Sequence, residues 1–146
     1  MLSYIMMKLN GISLINRLNY YLAGTILIFL PAILILFHIA NLSGLIPVNI
    51  VWTGRIASKN MMLAMGAVSI LLNSALIFCA MVKMGIIRNE TCQTFVDKLL
   101  PFVFWWLVGN TIANLFSKSL FEVIVFTPIL VVLTLCCFRI KAKREK

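Results

Sequence analysis

Five polar residues in apolar stretches of this chain have a spacing that would bring them together. His38 and Asn41 are three residues apart, and Asn110 and Asn114 are four apart, so each pair occupies one face of a helix. Glu122 follows the second pair closely. A histidine and a glutamate could exchange protons, and amides could bond a ligand or a neighbouring helix. These residues are therefore the candidates for a polar pocket.

The composition predicts that these residues lie in a membrane. Hydrophobic residues make up 62% of the chain, and 13 basic plus 4 acidic side chains are the only charges in 146 residues. A soluble domain of this size could not bury so much apolar surface. We expect one transmembrane domain over residues 1–146, because no Pro-, Gly- or Ser-rich linker divides it. The net charge of +9 is better explained by loops between spans than by nucleic acid binding.

Gaps between charged residues predict four membrane-spanning helices, because a helix of about 20 residues crosses the hydrocarbon core. The spans cover approximately residues 20–43, 60–83, 99–117 and 119–139. Very few residues separate the last two, which indicates a tight antiparallel hairpin. The last span starts so early that it includes Glu122, close to the bilayer edge. An interfacial ion pair with Lys118 is the simplest interpretation of that carboxylate.

The connecting segments differ in character. Residues 1–17 place apolar side chains at helical spacing, which predicts a short helix lying in the interface. The first loop contains the apolar, β-branched stretch "VNIVW" between Pro47 and Gly54, which indicates a folded cap. The predicted fold class is an all-α membrane protein: an antiparallel bundle of four transmembrane helices, with an interfacial N-terminal helix and a structured loop between the first two spans.

The basic residues predict the orientation, because Lys and Arg in short loops favour the cytoplasmic side. Ten of them fall in the two termini and the second loop. The other three are Arg55, Lys59 and Lys118, in the first and third loops. This asymmetry of 10 to 3 predicts that both termini are cytoplasmic.

This threading places His38, Asn41, Asn110, Asn114 and Glu122 at a similar depth, in the outer half of the membrane. We expect spans one, three and four to form a pocket there, because a lipid-facing amide is costly. Asn73 lies apart, near the middle of span two.

The first loop and two small residues complete this expectation. Arg55, or Trp52, would cover the opening of the pocket. Gly109 and Ala113 would allow another helix to approach closely. The simpler interpretation of the amides is hydrogen bonding between helices in a packed layer without a cavity.

Two blocks of the sequence point to a family. They are "FHIANLSGLIPVNIVWTGRI" and "GNTIANLFSKSLFEVIVFTPILVVLTLCCFRI". The chain resembles, over roughly residues 25–140, small four-helix bacterial membrane proteins of the domain-of-unknown-function type. The resemblance implies a multi-pass protein of the bacterial inner membrane, and it assigns no functional residue.

The motifs narrow the function without naming it. No metal-ligand set, phosphate-binding loop or nucleophile motif is present, so we expect no cofactor and no catalytic residue. The leading hypothesis is a non-catalytic accessory, binding or protective module with an extracytoplasmic pocket. The alternatives are a small oligomeric transporter, or a membrane enzyme using His38 and Glu122 on a lipid-like substrate. The expected partners are the lipid bilayer and a second copy of the chain or another membrane protein.

Overall fold

The structure of this protein is a computed structural model, which describes residues 19–46 and 58–141. Every regular element within these residues is helical. The elements are α1 (Tyr20–Leu42), α2 (Lys59–Lys83), α3 (Glu90–Leu115), a π-helical turn (Glu122–Phe126) and α4 (Thr127–Lys141), which continues that turn. The predicted N-terminal interfacial helix and residues 47–57 of the first loop lie outside the described residues.

Three of these helical segments are long and apolar enough to cross a membrane: Tyr20–Leu42, Lys59–Lys83 and Glu122–Lys141. This finding confirms the predicted all-helical fold, with helices that could cross a membrane. The α3 helix is longer than the span predicted in its place, because Asn89 starts it early by accepting hydrogen bonds from the backbone N–H groups of Thr91 and Cys92. Its first turns carry Asp97 and Lys98, which makes it less apolar than the other three.

Glycines end the first two helices. Gly44 and Gly85 both have a positive φ, of 80° and 76°, which side chains with a Cβ rarely adopt. At the second of these ends, the Gly85 N–H donates to the carbonyl of Val82 and the Ile86 N–H donates to the carbonyl of Met81. These bonds satisfy the last carbonyls of α2 and turn the chain sharply towards α3.

Side-chain contacts join one end of each helix to its neighbours. The Tyr20 hydroxyl at the start of α1 donates to the Lys83 carbonyl at the end of α2 over 2.8 Å. Lys83 pairs with Asp97 of α3, and the Arg139 guanidinium of α4 lies 5.8 Å from the centre of the Tyr20 ring. We call this end of the bundle the Lys83 end. The opposite one, where Glu122 begins the π-helical turn, is the Glu122 end.

The core of the Lys83 end is closely packed and apolar. The side chains with no more than about 1% of their surface exposed come from all four helices. They include Leu27, Leu76, Leu100, Val103 and Leu133. Cys79, Cys136 and Cys137 are free thiols buried in the same core. On the outside, each helix exposes large apolar side chains such as Phe29, Leu71, Phe102 and Ile124, as expected for contact with lipid.

Two helices approach each other closely at Gly66, whereas the sequence predicted a close approach at Gly109. A Cβ at Gly66 would lie 2.7 Å from a methyl group of Leu42, so α1 and α2 meet closely there. A Cβ at Gly109 would meet nothing within 4 Å, and Ala113 is exposed. Among the described residues, no other helix makes the close approach at Gly109 that the sequence predicted. The α3 face that carries Gly109 and Ala113 points away from the other helices.

Leucine substitutions at Gly66 and at Gly109 should differ in their effect on the stability of the protein. Both substitutions gain helix propensity, worth about 1 kcal/mol, but only Gly66→Leu places a side chain into occupied space. We expect Gly66→Leu to be less stable than Gly109→Leu by about 1–3 kcal/mol, the usual penalty for overpacking. Thermal unfolding in detergent, followed by circular dichroism, measures the difference. Equal midpoints would show that α1 and α2 are not in close contact at Gly66.

Candidate functional site

A cavity of about 310 Å³ lies towards the Glu122 end of the bundle, with walls from all four helices. Its volume is at the lower limit of small-molecule sites, about 300–1,000 Å³. Its polar wall, as far as the chain is described, consists of His38, Ser69, Asn73, Asn110, Asn114 and Glu122. The apolar wall consists of Leu34, Ala64, Met65, Val68, Trp106, Leu107, Phe126 and Leu130.

Four of the six residues predicted for the pocket line this cavity. His38 comes from α1, Asn110 and Asn114 from α3, and Glu122 from the π-helical turn. Asn41 is fully buried but is not part of the wall, and its amide has no hydrogen-bond partner among the described residues. Arg55, like Trp52, lies outside the described residues.

The buried carboxyl of Glu122 is held by the short connection between α3 and the π-helical turn. Glu122 is only 2% exposed, whereas Lys118 in the same connection is exposed. The Ser117 hydroxyl donates a hydrogen bond to a carboxyl oxygen of Glu122 and accepts one from the Ser119 N–H, at 3.1 Å. The connection thereby turns Glu122 into the bundle rather than towards the exposed surface.

A proline explains the π-helical turn next to this carboxyl. Pro128 lacks an N–H, and in a regular α-helix its ring would clash with the carbonyl of Ile124. Widening the preceding turn relieves this clash, and the Thr127 N–H bonds the Glu122 carbonyl five residues back. Such turns are frequent at functional sites, because they change the direction in which side chains project.

The α2 wall was missed by the sequence analysis, which expected spans one, three and four alone. Ser69 and Asn73 line the cavity, and the Asn73 amide nitrogen donates to the Ser69 carbonyl over 2.8 Å. A signal for them was present in the sequence, since these two polar residues are four apart on one helix face, as Asn110 and Asn114 are.

The asparagines of α3 do not form a bonded layer between helices. Asn114 is 9% exposed, and Asn110 is half-buried. Among the described residues neither side-chain amide has a hydrogen-bond partner, although both line the cavity. A structural layer would bond such amides directly to protein, because an unpaired buried amide costs about 1–3 kcal/mol. The arrangement resembles a site that presents polar groups to a ligand.

The open side of the cavity lies between α2 and α3. The exposed residues of the described wall, Ala64 and Val68, belong to α2, and Val68 is 52% exposed. Trp106 and Asn110, on the facing side of α3, are half-buried. The polar contacts described between these two helices, Lys83 with Asp97 and Gln93 with the Val82 carbonyl, lie at the Lys83 end.

In comparisons with known protein families, curated proteins and solved structures, nothing matches this chain. Within residues 19–46 and 58–141, no three His, Cys, Asp or Glu side chains are grouped so that they could hold a metal ion.

Proposed function

We propose that this protein is a non-catalytic binding module of the bacterial inner membrane, which holds a small ligand in the cavity between its four helices. The observation that carries the proposal is the lining of unpaired amides. Asn114 lines the cavity, and within the described residues its side-chain amide bonds no other group of the protein. A ligand with hydrogen-bonding groups could bond these amides directly.

The proposal includes a membrane arrangement in which α1, α2, α3 and the Glu122–Lys141 segment all cross the bilayer in alternating directions. The short connections at Gly85 and Ser117 favour this antiparallel bundle. The α3 helix has 26 residues and is about 39 Å long at about 1.5 Å per residue, which exceeds the hydrocarbon thickness. The distribution of Lys and Arg favours cytoplasmic termini, and hence an extracytoplasmic cavity.

The packing of the Lys83 end favours binding over passage across the membrane. The cavity ends on Leu34, Leu107 and Leu130, each buried. Beyond them lie Leu100 and Leu133, which are at most 1% exposed. A transported molecule would need a second opening through this layer of buried side chains.

A tryptophan placed in the cavity should test the proposal. Ser69→Trp would fill part of the space, whereas Ser74→Trp adds the same side chain to an exposed position of α2. We expect small molecules that co-purify with the wild-type protein, identified by mass spectrometry of organic extracts, to be retained by Ser74→Trp and lost from Ser69→Trp. Identical extracts from all three proteins would contradict a ligand-binding cavity.

A further inference from the structure

The polar groups of the cavity differ in what they offer to a ligand. Glu122 presents carboxyl oxygens, which accept hydrogen bonds. One N–H of the Asn73 amide donates to the Ser69 carbonyl, and the amide oxygen of Asn73 is a further acceptor in the wall. The Asn110 and Asn114 amides add both donors and acceptors from α3, whereas the Glu122 carboxyl and the Asn73 oxygen can be used only by a ligand that donates. A hydroxyl or an ammonium group supplies such a donor.

The charge of the wall disfavours an anionic ligand. Glu122 is acidic, and the described residues of the wall include no Lys or Arg. A phosphate or carboxylate would therefore lie beside carboxyl oxygens, with no Lys or Arg of the described wall to pair with it. A neutral or cationic head group avoids this contact.

The position of the opening indicates where the rest of the ligand lies. Val68 and Ala64 form an apolar edge on α2, and the Trp106 ring lines the cavity from α3. This edge belongs to helix faces that are exposed to the surroundings of the bundle. In a membrane these surroundings are acyl chains, so a molecule could pass into the cavity sideways from the bilayer.

We infer that the ligand is an amphiphile whose head group donates hydrogen bonds to Glu122 and whose apolar body lies against Trp106 and Val68, reached from the bilayer between α2 and α3. This inference rests on the proposed function, since it names the chemical class of the ligand of the same cavity. The head group is a hydroxyl or an amine. The volume of about 310 Å³ corresponds to about ten water molecules, at about 30 Å³ each, and suits a short body.

Fluorescence quenching by two bromoalkanes can test the need for a donor. The probes are 6-bromohexan-1-ol, which has a hydroxyl donor, and methyl 6-bromohexanoate, which is neutral and has none. In a Trp52→Phe, Trp105→Phe variant only Trp106 remains as the fluorophore. The protein is studied in phospholipid nanodiscs. A hydrogen bond of ordinary net strength predicts about fivefold tighter binding of the alcohol than of the ester.

The neighbouring tryptophan supplies the control for probe dissolved in the lipid. Trp105 is 67% exposed, so a Trp52→Phe, Trp106→Phe variant reports quenching from outside the bundle. The inference is supported if the alcohol, but not the ester, quenches Trp106 more strongly than it quenches Trp105. Equal excess quenching by both probes leaves the ligand-binding function in place but overturns the donor requirement. No excess by either probe overturns the proposed function itself. Native mass spectrometry of the wild-type protein with both probes repeats the comparison without substitutions.

The role of Glu122 as acceptor can be tested in the same reporter protein. Glu122→Gln replaces one carboxyl oxygen by an NH2 group, whereas Glu90→Gln makes the same change at an exposed residue of the Lys83 end. We expect Glu122→Gln to reduce the preference for the alcohol from about fivefold to about twofold, because the amide keeps one acceptor oxygen and forms a hydrogen bond about half as strong. Glu90→Gln should leave the preference unchanged. An unchanged preference in Glu122→Gln would overturn the assignment of this residue.

Discussion

A membrane-impermeant maleimide should label a cysteine at Phe116 in intact cells and label one at Ile86 only after the cells are permeabilised. Both positions are exposed in short connections, at 83% and 58%, so the reagent can reach either one once it is on the correct side. They lie at the two ends of α3. Labelling of the two positions from opposite sides therefore requires that α3 crosses the membrane. In intact cells we expect full labelling at Phe116→Cys and complete protection of Ile86→Cys.

The α3 helix is the element that most needs this test. The other three helical segments are long and apolar enough to cross a membrane. The Asp97 carboxylate of α3 pairs with Lys83, and the stretch that follows contains Asn110 and Asn114. We expect α3 to cross because its ion pair lies at the Lys83 end, near the interface, while its asparagines face the cavity.

The labelling requires a background in which the four native cysteines are replaced by alanine. A third cysteine, at the exposed Ser58, should be labelled from outside together with Phe116→Cys. Labelling of Ile86→Cys and Phe116→Cys from the same side would show that α3 does not cross. Labelling of Ile86→Cys alone in intact cells would invert the orientation and place the cavity on the cytoplasmic side.

Asn114→Leu should make the protein more stable while abolishing ligand binding. The amide lines the cavity and bonds no described group of the protein, so a leucine there removes no described hydrogen bond and adds apolar surface to the interior. We expect a gain of about 1 kcal/mol, about the value of one buried methylene group. Thermal unfolding without ligand measures this gain, and the co-purified molecules should disappear in parallel. Opposite changes in stability and binding are typical of functional sites.

Two further substitutions provide references for the stability of Asn114→Leu. Ser117→Ala removes a hydrogen bond from the buried Glu122 carboxyl and should lower stability by about 1–3 kcal/mol. Val131→Leu changes an exposed apolar side chain of α4 and should have little effect. A loss of stability in Asn114→Leu as large as that in Ser117→Ala would show that Asn114 supports the packing of helices. That outcome would favour the simpler interpretation of the asparagines as interhelical bonds.

Several parts of the site could be predicted from the sequence because they depend on position along the chain. Hydropathy and charge identify the helical segments, and counting residues along each helix gives depth. That reasoning brought His38, Asn110, Asn114 and Glu122 to one level, and all four line the cavity.

Other features depend on how each helix is rotated about its axis, which the sequence left open. A helix that is apolar on nearly every side has no strong pattern to indicate which face is inside. Gly109 was therefore expected at a contact but faces open space, whereas Gly66 meets Leu42. In the same way Asn41 shares the His38 face by spacing but lies outside the cavity wall.

The sequence by itself determined the class of the protein, its helical segments and the level of its polar residues, since these follow from sums over consecutive residues. Only the tertiary structure decided that α2 completes the cavity with Ser69 and Asn73, because the face that α2 turns to the cavity depends on packing between all four helices. It also decided the surroundings of Glu122. The π-helical turn before Pro128 and the hydrogen bond from Ser117 direct that carboxyl inwards, and both depend on backbone geometry that residue types alone do not specify.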